Sequence, residues 1–226
     1  MSALNGAAIL YPVSGEKGDA VILRRLVVGP LASNCYIAGS EATKEGMIID
    51  PADEAERILT NVTQLGLEIK LILLTHGHPD HVGALKGVQE ATGAEVVIHT
   101  DDTEALLNQP LAFAFGPTYP SPSPPDRLLN GGESLNIGDL HFSVRHTPGH
   151  TPGGICLLRH NVLFSGDTLF NYGIGRFDMP GGNYEQLMNS LAALFTSLPD
   201  DTAVYPGHGP ETTIGTERQA NPFLQG

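Results

Sequence analysis

Two β-sheets packed face to face, with helices on their outer faces, form the fold class this sequence predicts, and three observations predict it. Short apolar runs rich in Val, Ile and Leu recur along the chain at strand length. Three stretches carry apolar residues at the 3.6-residue period of an amphipathic helix. These segments come as hairpin-like neighbours, then strand–helix units, then hairpins again, an order that suits two sheets better than one doubly wound sheet.

Taken in order, the strands are read at 22–28, 35–38, 47–49, 71–74, 96–98, 142–144, 154–158, 162–164 and 203–205. Residues 53–65 and 84–92 are read as helices ending near Gly66 and Gly93, because glycine takes the left-handed C-terminal cap without steric cost. The clearest helix is 184–197. Asn183 can cap its N-terminus, and Leu187, Leu191, Leu194, Phe195 and Leu198 line one apolar stripe. The stretch 108–126 holds Pro110, Pro117, Pro120, Pro122, Pro124 and Pro125, a density that excludes regular structure. It reads as a surface connection, with a lid over a site as the alternative.

The 226 residues suit a single domain spanning 1–226, with its core at about 22–224. With 12 basic and 25 acidic residues the net charge is −13, which repels phosphate backbones and anionic membranes, so neither nucleic acid nor a membrane is an expected partner. Two cysteines, Cys35 and Cys156, suit a reducing compartment at least as well as a disulfide. Residues 1–18 lack the basic and apolar regions of a signal peptide, and no apolar run reaches the roughly 18–20 residues of a membrane span, so a cytoplasmic location is expected.

The chemistry is concentrated at strand ends. The run 71–75 leads straight into His76-Gly77-His78-Pro79-Asp80-His81. Residues two apart in an extended segment point the same way, so His76 and His78 can grip one metal. The turn behind Pro79 can send Asp80 and His81 towards a second. Imidazole nitrogen and carboxylate oxygen suit zinc, and also iron or manganese. Incidental histidines in a polar loop are the alternative, but only nine occur in the chain and three fall within these six positions. Three later strand ends add His150 in His146-Thr-Pro-Gly-His150-Thr, Asp167 in Ser165-Gly-Asp167-Thr and His208 in Pro206-Gly-His208-Gly. A carboxylate such as Asp167 can bridge two cations ~3.5–4 Å apart.

In this order the T-H-x-H-x-D-H, T-P-G-H-T, S-G-D-T and P-G-H-G-P stretches resemble the metallo-β-lactamase superfamily, and within it the glyoxalase II-like hydrolases. Ser33-Asn34-Cys35-Tyr36, Asp50-Pro51, Gly175-Arg176-Phe177 and 217–224 add to the resemblance, which covers about 24–224. It implies a four-layer αβ/βα sandwich of two mixed sheets with two divalent metals at one edge. It places His76, His78 and His150 on one metal, Asp80, His81 and His208 on the other, and Asp167 between them. It implies that Asp50 orients a ligand, with capping of the following turn as the alternative. His146 supports the site by a hydrogen bond or is merely structural, and His99, His141 and His160 are expected at the surface.

The reaction implied is hydrolysis of a small-molecule thioester or ester by hydroxide that the metals make available near neutral pH, S-2-hydroxyacylglutathione being the first substrate in view. Asp80 is expected to orient the nucleophile or shuttle its proton. Arg176 and Phe177 fall in the family's glutathione-contacting loop, but Asp178 stands where a tyrosine is usual, and the chain ends soon after Leu224, short of the family's C-terminal helical extension. Arg176 can meet a substrate carboxylate or form only a surface ion pair. Three rivals accompany this reading: a persulfide dioxygenase-like enzyme with a single iron, a lactonase or other esterase of the same fold, and a non-catalytic metal-binding protein.

Overall fold

The computed structural model describes residues 9–11, 20–108, 122 and 124–225. One sheet runs in chain order through β1 (Ile9–Tyr11), β2 (Val21–Val28), β3 (Ser33–Ser40), β4 (Glu45–Ile49), β5 (Glu68–Leu73), β6 (Glu95–His99) and β7 (Arg127–Leu129). Its strands are antiparallel up to β4 and parallel from β4 onward. Parallel neighbours need a crossover. Here α1 (Ala55–Leu65) joins β4 to β5, while α2 (Pro79–Val82) and α3 (Leu85–Thr92) join β5 to β6.

The second sheet contains β8 (Ser134–Ile137), β9 (Leu140–His146), β10 (Ile155–Arg159), β11 (Val162–Gly166), β14 (Ala203–Pro206) and β15 (Thr212–Thr213), adjacent in that order. Only β11 and β14 pair in parallel, and α5 (Tyr184–Ser197) lies between them in sequence. A separate hairpin, β12 (Leu169–Phe170) with β13 (Gly173–Ile174), follows β11. Among the described residues the remaining α-helices are α4 (Thr103–Asn108) and α6 (Ile214–Ala220).

The strand period of two sorts the apolar residues into layers. In β4, Met47 and Ile49 face the second sheet, where they meet the cluster containing Phe142, Val144, Leu157 and Phe164. Ile48 points the other way, into a cluster with Ile58 and Val62 of α1 and Leu85 and Val88 of α3. Leu187, Leu191 and Leu194 of α5 cover the far side of the second sheet against Cys156, Leu163 and Val204. The layers are therefore helix, sheet, sheet, helix, the two-sheet arrangement that the segment order predicts.

Element ends follow local chemistry. Gly66 and Gly93 close α1 and α3 in the left-handed conformation, at φ 63° and 65°. Glu54 is itself left-handed at φ 57°, so α1 begins at Ala55 and not at residue 53. The Asn183 side chain accepts from Gln186 N at 3.0 Å and caps α5. The two- and three-residue strands β1, β7, β12, β13 and β15 carry no readable period, and α2 is too short to show one, so pattern reading passes over them.

One expectation is corrected here. His99 is not at the surface: it ends β6, an interior strand of the first sheet, and only 3% of it is exposed. His141 and His160 are exposed as expected. Most of the proline-rich stretch 108–126, and with it the surface connection or lid, lies outside the described residues. Among the described residues no helix is long and apolar enough to cross a membrane.

The outer helix supports a stability test. Leu191 is fully buried in the α5 stripe, so Leu191→Ala is expected to lower the unfolding free energy by about 2–5 kcal/mol in denaturant melts. Asn183→Ala, which loses the cap, should cost only about 1 kcal/mol. A Leu191→Ala loss no larger than that of the cap variant would contradict the packing described.

Candidate metal centre

The site lies where strands of both sheets end. After β5 the chain bends at Thr75 and His76, is extended at His78, at φ −70° and ψ 144°, and turns into α2 at Pro79. Proline suits the first helical position because its missing N–H is unneeded there and its φ is preset. Within six residues the backbone thus presents His76 from a bend, His78 from an extended position and Asp80 and His81 from a helical turn, all four side chains buried. His150 comes from the turn after β9, Asp167 from the end of β11 and His208 from the end of β14.

The loop carrying His208 is fixed by β3. Asn34 Nδ2 donates to Pro206 O at 2.8 Å and Gly209 O at 2.9 Å, Asn34 N donates to Gly207 O at 2.7 Å, and Tyr36 Oη donates to Pro206 O at 2.6 Å. Position 207 must be glycine for another reason. A Cβ there would collide with Asp167 Oδ1 and come within 2.8 Å of His81 Cε1. On the opposite flank Phe170 of the β12–β13 hairpin places its ring 6.1 Å from that of His208. Buried Glu217 holds this hairpin down, accepting from Tyr172 N at 2.9 Å, Thr212 Oγ1 at 2.6 Å and Asn221 Nδ2 at 2.8 Å.

Three groups of side chains bring ligand atoms within 4.8 Å of one another here: His76 with His78 and His150, Asp80 with His81 and His208, and Asp50 with His76 and His81. Asp167 reaches both triads. Its Oδ1 is 3.4 Å from His81 Nε2, and its Oδ2 is 3.5 Å from His150 Nε2 and 3.6 Å from His208 Nε2.

The outward ring nitrogens decide what the inward ones can do. His81 Nδ1 donates to Asp50 Oδ2 at 2.9 Å, His150 Nδ1 to Arg176 O at 2.7 Å and His208 Nδ1 to Leu31 O at 3.2 Å. With its proton spent outward, each neutral ring presents a lone pair inward. His81 Nε2 and His208 Nε2 face each other at 3.2 Å, a contact in which two neutral rings so oriented would set lone pair against lone pair and which a proton or a cation relieves. His76 Nε2 and Asp167 Oδ1 are buried without any hydrogen-bond partner. Converging lone pairs and unpartnered buried acceptors are what a cation requires, so these residues fit divalent metal ions.

Electrostatics say the same. Burial, then the neighbouring His81, His78 and His150, push His76 well below its ordinary value. Burial and His150 bring His78 down to about 4. Burial opposes a charge on His81, yet Asp167, Asp80 and Asp50 raise it to about 10. Burial also opposes a charge on His208, but its bond to Asp80 and the nearby Asp167 raise it. Burial disfavours the charged form of Asp80 too, but His81 and His208 hold it below the usual carboxylate range. The cluster draws positive charge onto His81 and His208 and leaves His76 and His78 as neutral donors.

The other residues read from the sequence fall as follows. Asp50, itself left-handed at φ 50°, accepts from Thr75 N at 2.7 Å, from Thr75 Oγ1 at 2.6 Å and from His81 Nδ1, so its carboxylate faces the ligand loop and not the following turn. His146 is outside the cluster: its Nε2 donates to Pro152 O at 2.9 Å, and its ring stacks on His99 at 4.0 Å. Arg176 turns its guanidinium to Asp178 in a two-point exposed pair at 2.9 and 3.0 Å. Its main-chain oxygen, not its side chain, touches the cluster. Phe177 packs edge-on against Tyr184, ring centroids 4.9 Å apart, and is 37% exposed. Sequence reading missed Asp102, a buried carboxylate between two ligand loops. An acidic residue just after a strand was the only signal for it.

Comparison with known proteins shows the family and the fold. The family described as the Metallo-beta-lactamase superfamily matches residues 28–208. The chain is 41% identical over 197 residues to hydroxyacylglutathione hydrolase GloC of Haemophilus influenzae, covering 84% of this chain and 92% of that protein. Among solved structures it is similar to BLEG-1 B3 metallo-beta-lactamase, with a TM-score of 0.85 and 39% identity, covering 91% of this chain and all of that one. It is similar also to TTHA1623 in a di-iron-bound form, with a TM-score of 0.82 and 40% identity over 89% of this chain and all of that one.

Cation uptake gives a direct check. His81, at about 10, carries a proton at pH 7 when no cation is present, and that proton must leave when its lone pair is used. Adding Zn2+ to chelator-treated protein in weak buffer at pH 7 is expected to release about one proton or more per chain, read by an indicator dye. Zinc binding with no proton release would contradict the charge arrangement described.

Proposed function

Because the chain belongs to the metallo-β-lactamase superfamily, we propose that it is a metal-dependent hydrolase that cleaves a thioester, with S-2-hydroxyacylglutathione as the first substrate to test. The observation that carries this reading is the pair of ligand triads sharing Asp167. Similarity to hydroxyacylglutathione hydrolase GloC supports the substrate class. His76, His78 and His150 would hold one divalent cation, Asp80, His81 and His208 the other, and Asp167 would lie between them. The donor set favours zinc, and the di-iron form of TTHA1623 supports iron as the alternative.

When bound, such cations lower the pKa of water from 15.7 towards about 7 and offset negative charge growing on a substrate carbonyl oxygen. The chain's own groups do the rest. Asp50 fixes the tautomer and tilt of His81, and Arg176 O does the same for His150. Asp80 Oδ2, 3.2 Å from His208 Nε2 and 3.5 Å from Ser33 Oγ, is held ionised and orients water or accepts its proton. Water oxygen adds to the acyl carbon, the C–S bond breaks, and the sulfur leaves as thiolate or takes up the released proton. The products are a hydroxy acid and a thiol.

Recognition of the thiol half rests on the rim. Arg176 is fully engaged by Asp178, but both are exposed, and solvent-exposed ion pairs are weakly held. A substrate carboxylate can therefore compete for Arg176, while Phe177 and Tyr184 offer apolar contact beside it.

Steady-state hydrolysis of S-lactoylglutathione by protein of known zinc or iron content is the test. Turnover that needs metal and is lost with chelator supports the proposal. Absence of turnover in fully loaded protein would refute the substrate, and oxygen uptake with glutathione persulfide, or cleavage of a lactone or β-lactam instead, would identify the rival activity. Asp80→Asn is expected to lower kcat by about 100-fold or more, with KM changed much less. Retention of near-parental kcat would remove Asp80 from its proposed role.

A further inference from the structure

Asp102 closes the 3₁₀ turn Thr100–Asp102 that follows β6, and it is fully buried. Burying a carboxylate is costly unless hydrogen bonds replace its water. Here each oxygen receives one backbone N–H. Gly77 N donates to Oδ2 at 2.9 Å, and Gly153 N donates to Oδ1 at 2.6 Å. These donors belong to different ligand loops: Gly77 stands between His76 and His78, and Gly153 lies in the turn that carries His150.

Both donors need to be glycine for the approach to occur. A Cβ on Gly77 would come within 2.8 Å of Leu106 N and 2.9 Å of Asp102 O. A Cβ on Gly153 would lie 2.6 Å from Asp102 N. Two segments about 75 residues apart in sequence are thus drawn onto one carboxylate, and the imidazoles they carry meet with His150 Nε2 3.0 Å from His78 Nδ1. Bonds from N–H to an ionised acceptor are about twice as strong as neutral ones, so this is a firm tether.

We infer that Asp102 is a positioning residue, a two-point clamp that sets the spacing of the His76–His78 and His150 loops before any metal arrives; the inference rests on the two-cation reading. It touches no reacting atom and acts only through Gly77 and Gly153. An amide in its place keeps the volume but has one acceptor oxygen, and its NH2 would face an N–H donor, so one loop would be released.

Asp102→Asn is expected to keep the parental circular dichroism spectrum while Zn2+ affinity, measured by chelator competition, falls about 10–100-fold. The visible spectrum of the Co2+-loaded variant should shift as well. A folded variant with parental Zn2+ affinity and Co2+ spectrum would overturn the inference. If the variant does not fold, hydrogen exchange at the Gly77 and Gly153 amides of the parent decides. Protection already present in chelator-treated protein and unchanged by Zn2+ supports the clamp; protection gained only on adding Zn2+ overturns it. Should the parent bind no Zn2+, the two-cation reading fails by itself, and the same amides still judge whether Asp102 orders the loops.

Discussion

His81 and His208 face each other Nε2 to Nε2 at 3.2 Å while both Nδ1 atoms donate outward, so two neutral rings would set lone pair against lone pair and the contact asks for a proton or a cation. Neither ring can escape by exchanging tautomers, because each has its other nitrogen bonded to a fixed acceptor, Asp50 or Leu31 O. Around them stand Asp80 and Asp167, so the local charge is negative wherever the rings are neutral. The cluster is stable only with cationic charge supplied to it, by protons or by metal. The proposed hydrolase chemistry grows from that requirement, since ions held by neutral imidazole and carboxylate polarise water and carbonyl groups.

The sandwich is arranged to keep this demand in place. Each ligand sits on a turn or short helix that follows a strand. Cross-links then run between loops that the sequence separates widely. Asn34 and Tyr36 of β3 hold the Pro206–Gly209 turn. Asp50 joins the end of β4 to Thr75 and His81, and Asp102 joins the end of β6 to the loops of both His76 and His150. Buried carboxylates thus act as acceptors that lock the loops carrying the ligands. The apolar clusters on either side of each sheet provide the rigidity these bonds need.

The layer order and the main strands and helices were legible in the sequence because their apolar periods are long enough to show. α5 is the best case: its stripe and its cap, Asn183, are both local signals. The ligand types were legible for the same reason, since His76, His78, Asp80 and His81 lie within six residues. What stayed hidden depends on distant partners. His99 looks like any polar residue after an apolar run, and its burial involves the neighbouring strand β7 and the ring of His146, both distant in sequence. For Arg176 the sequence left a substrate carboxylate and a surface ion pair both open, and the structure gives the pair with Asp178. Asp102 and Gly207 are set by atoms far along the chain, and no pattern of neighbours encodes them.

The central claim is that the side chains of four strand ends converge on two cations with Asp167 between. Crystallographic anomalous scattering at the zinc or iron edge, with elemental analysis of the same crystals, tests it most directly. The account predicts two peaks per chain, one beside His76, His78 and His150 and one beside Asp80, His81 and His208, with an Asp167 oxygen facing each. A single peak, or Asp167 and His208 turned away from any ion, would contradict it.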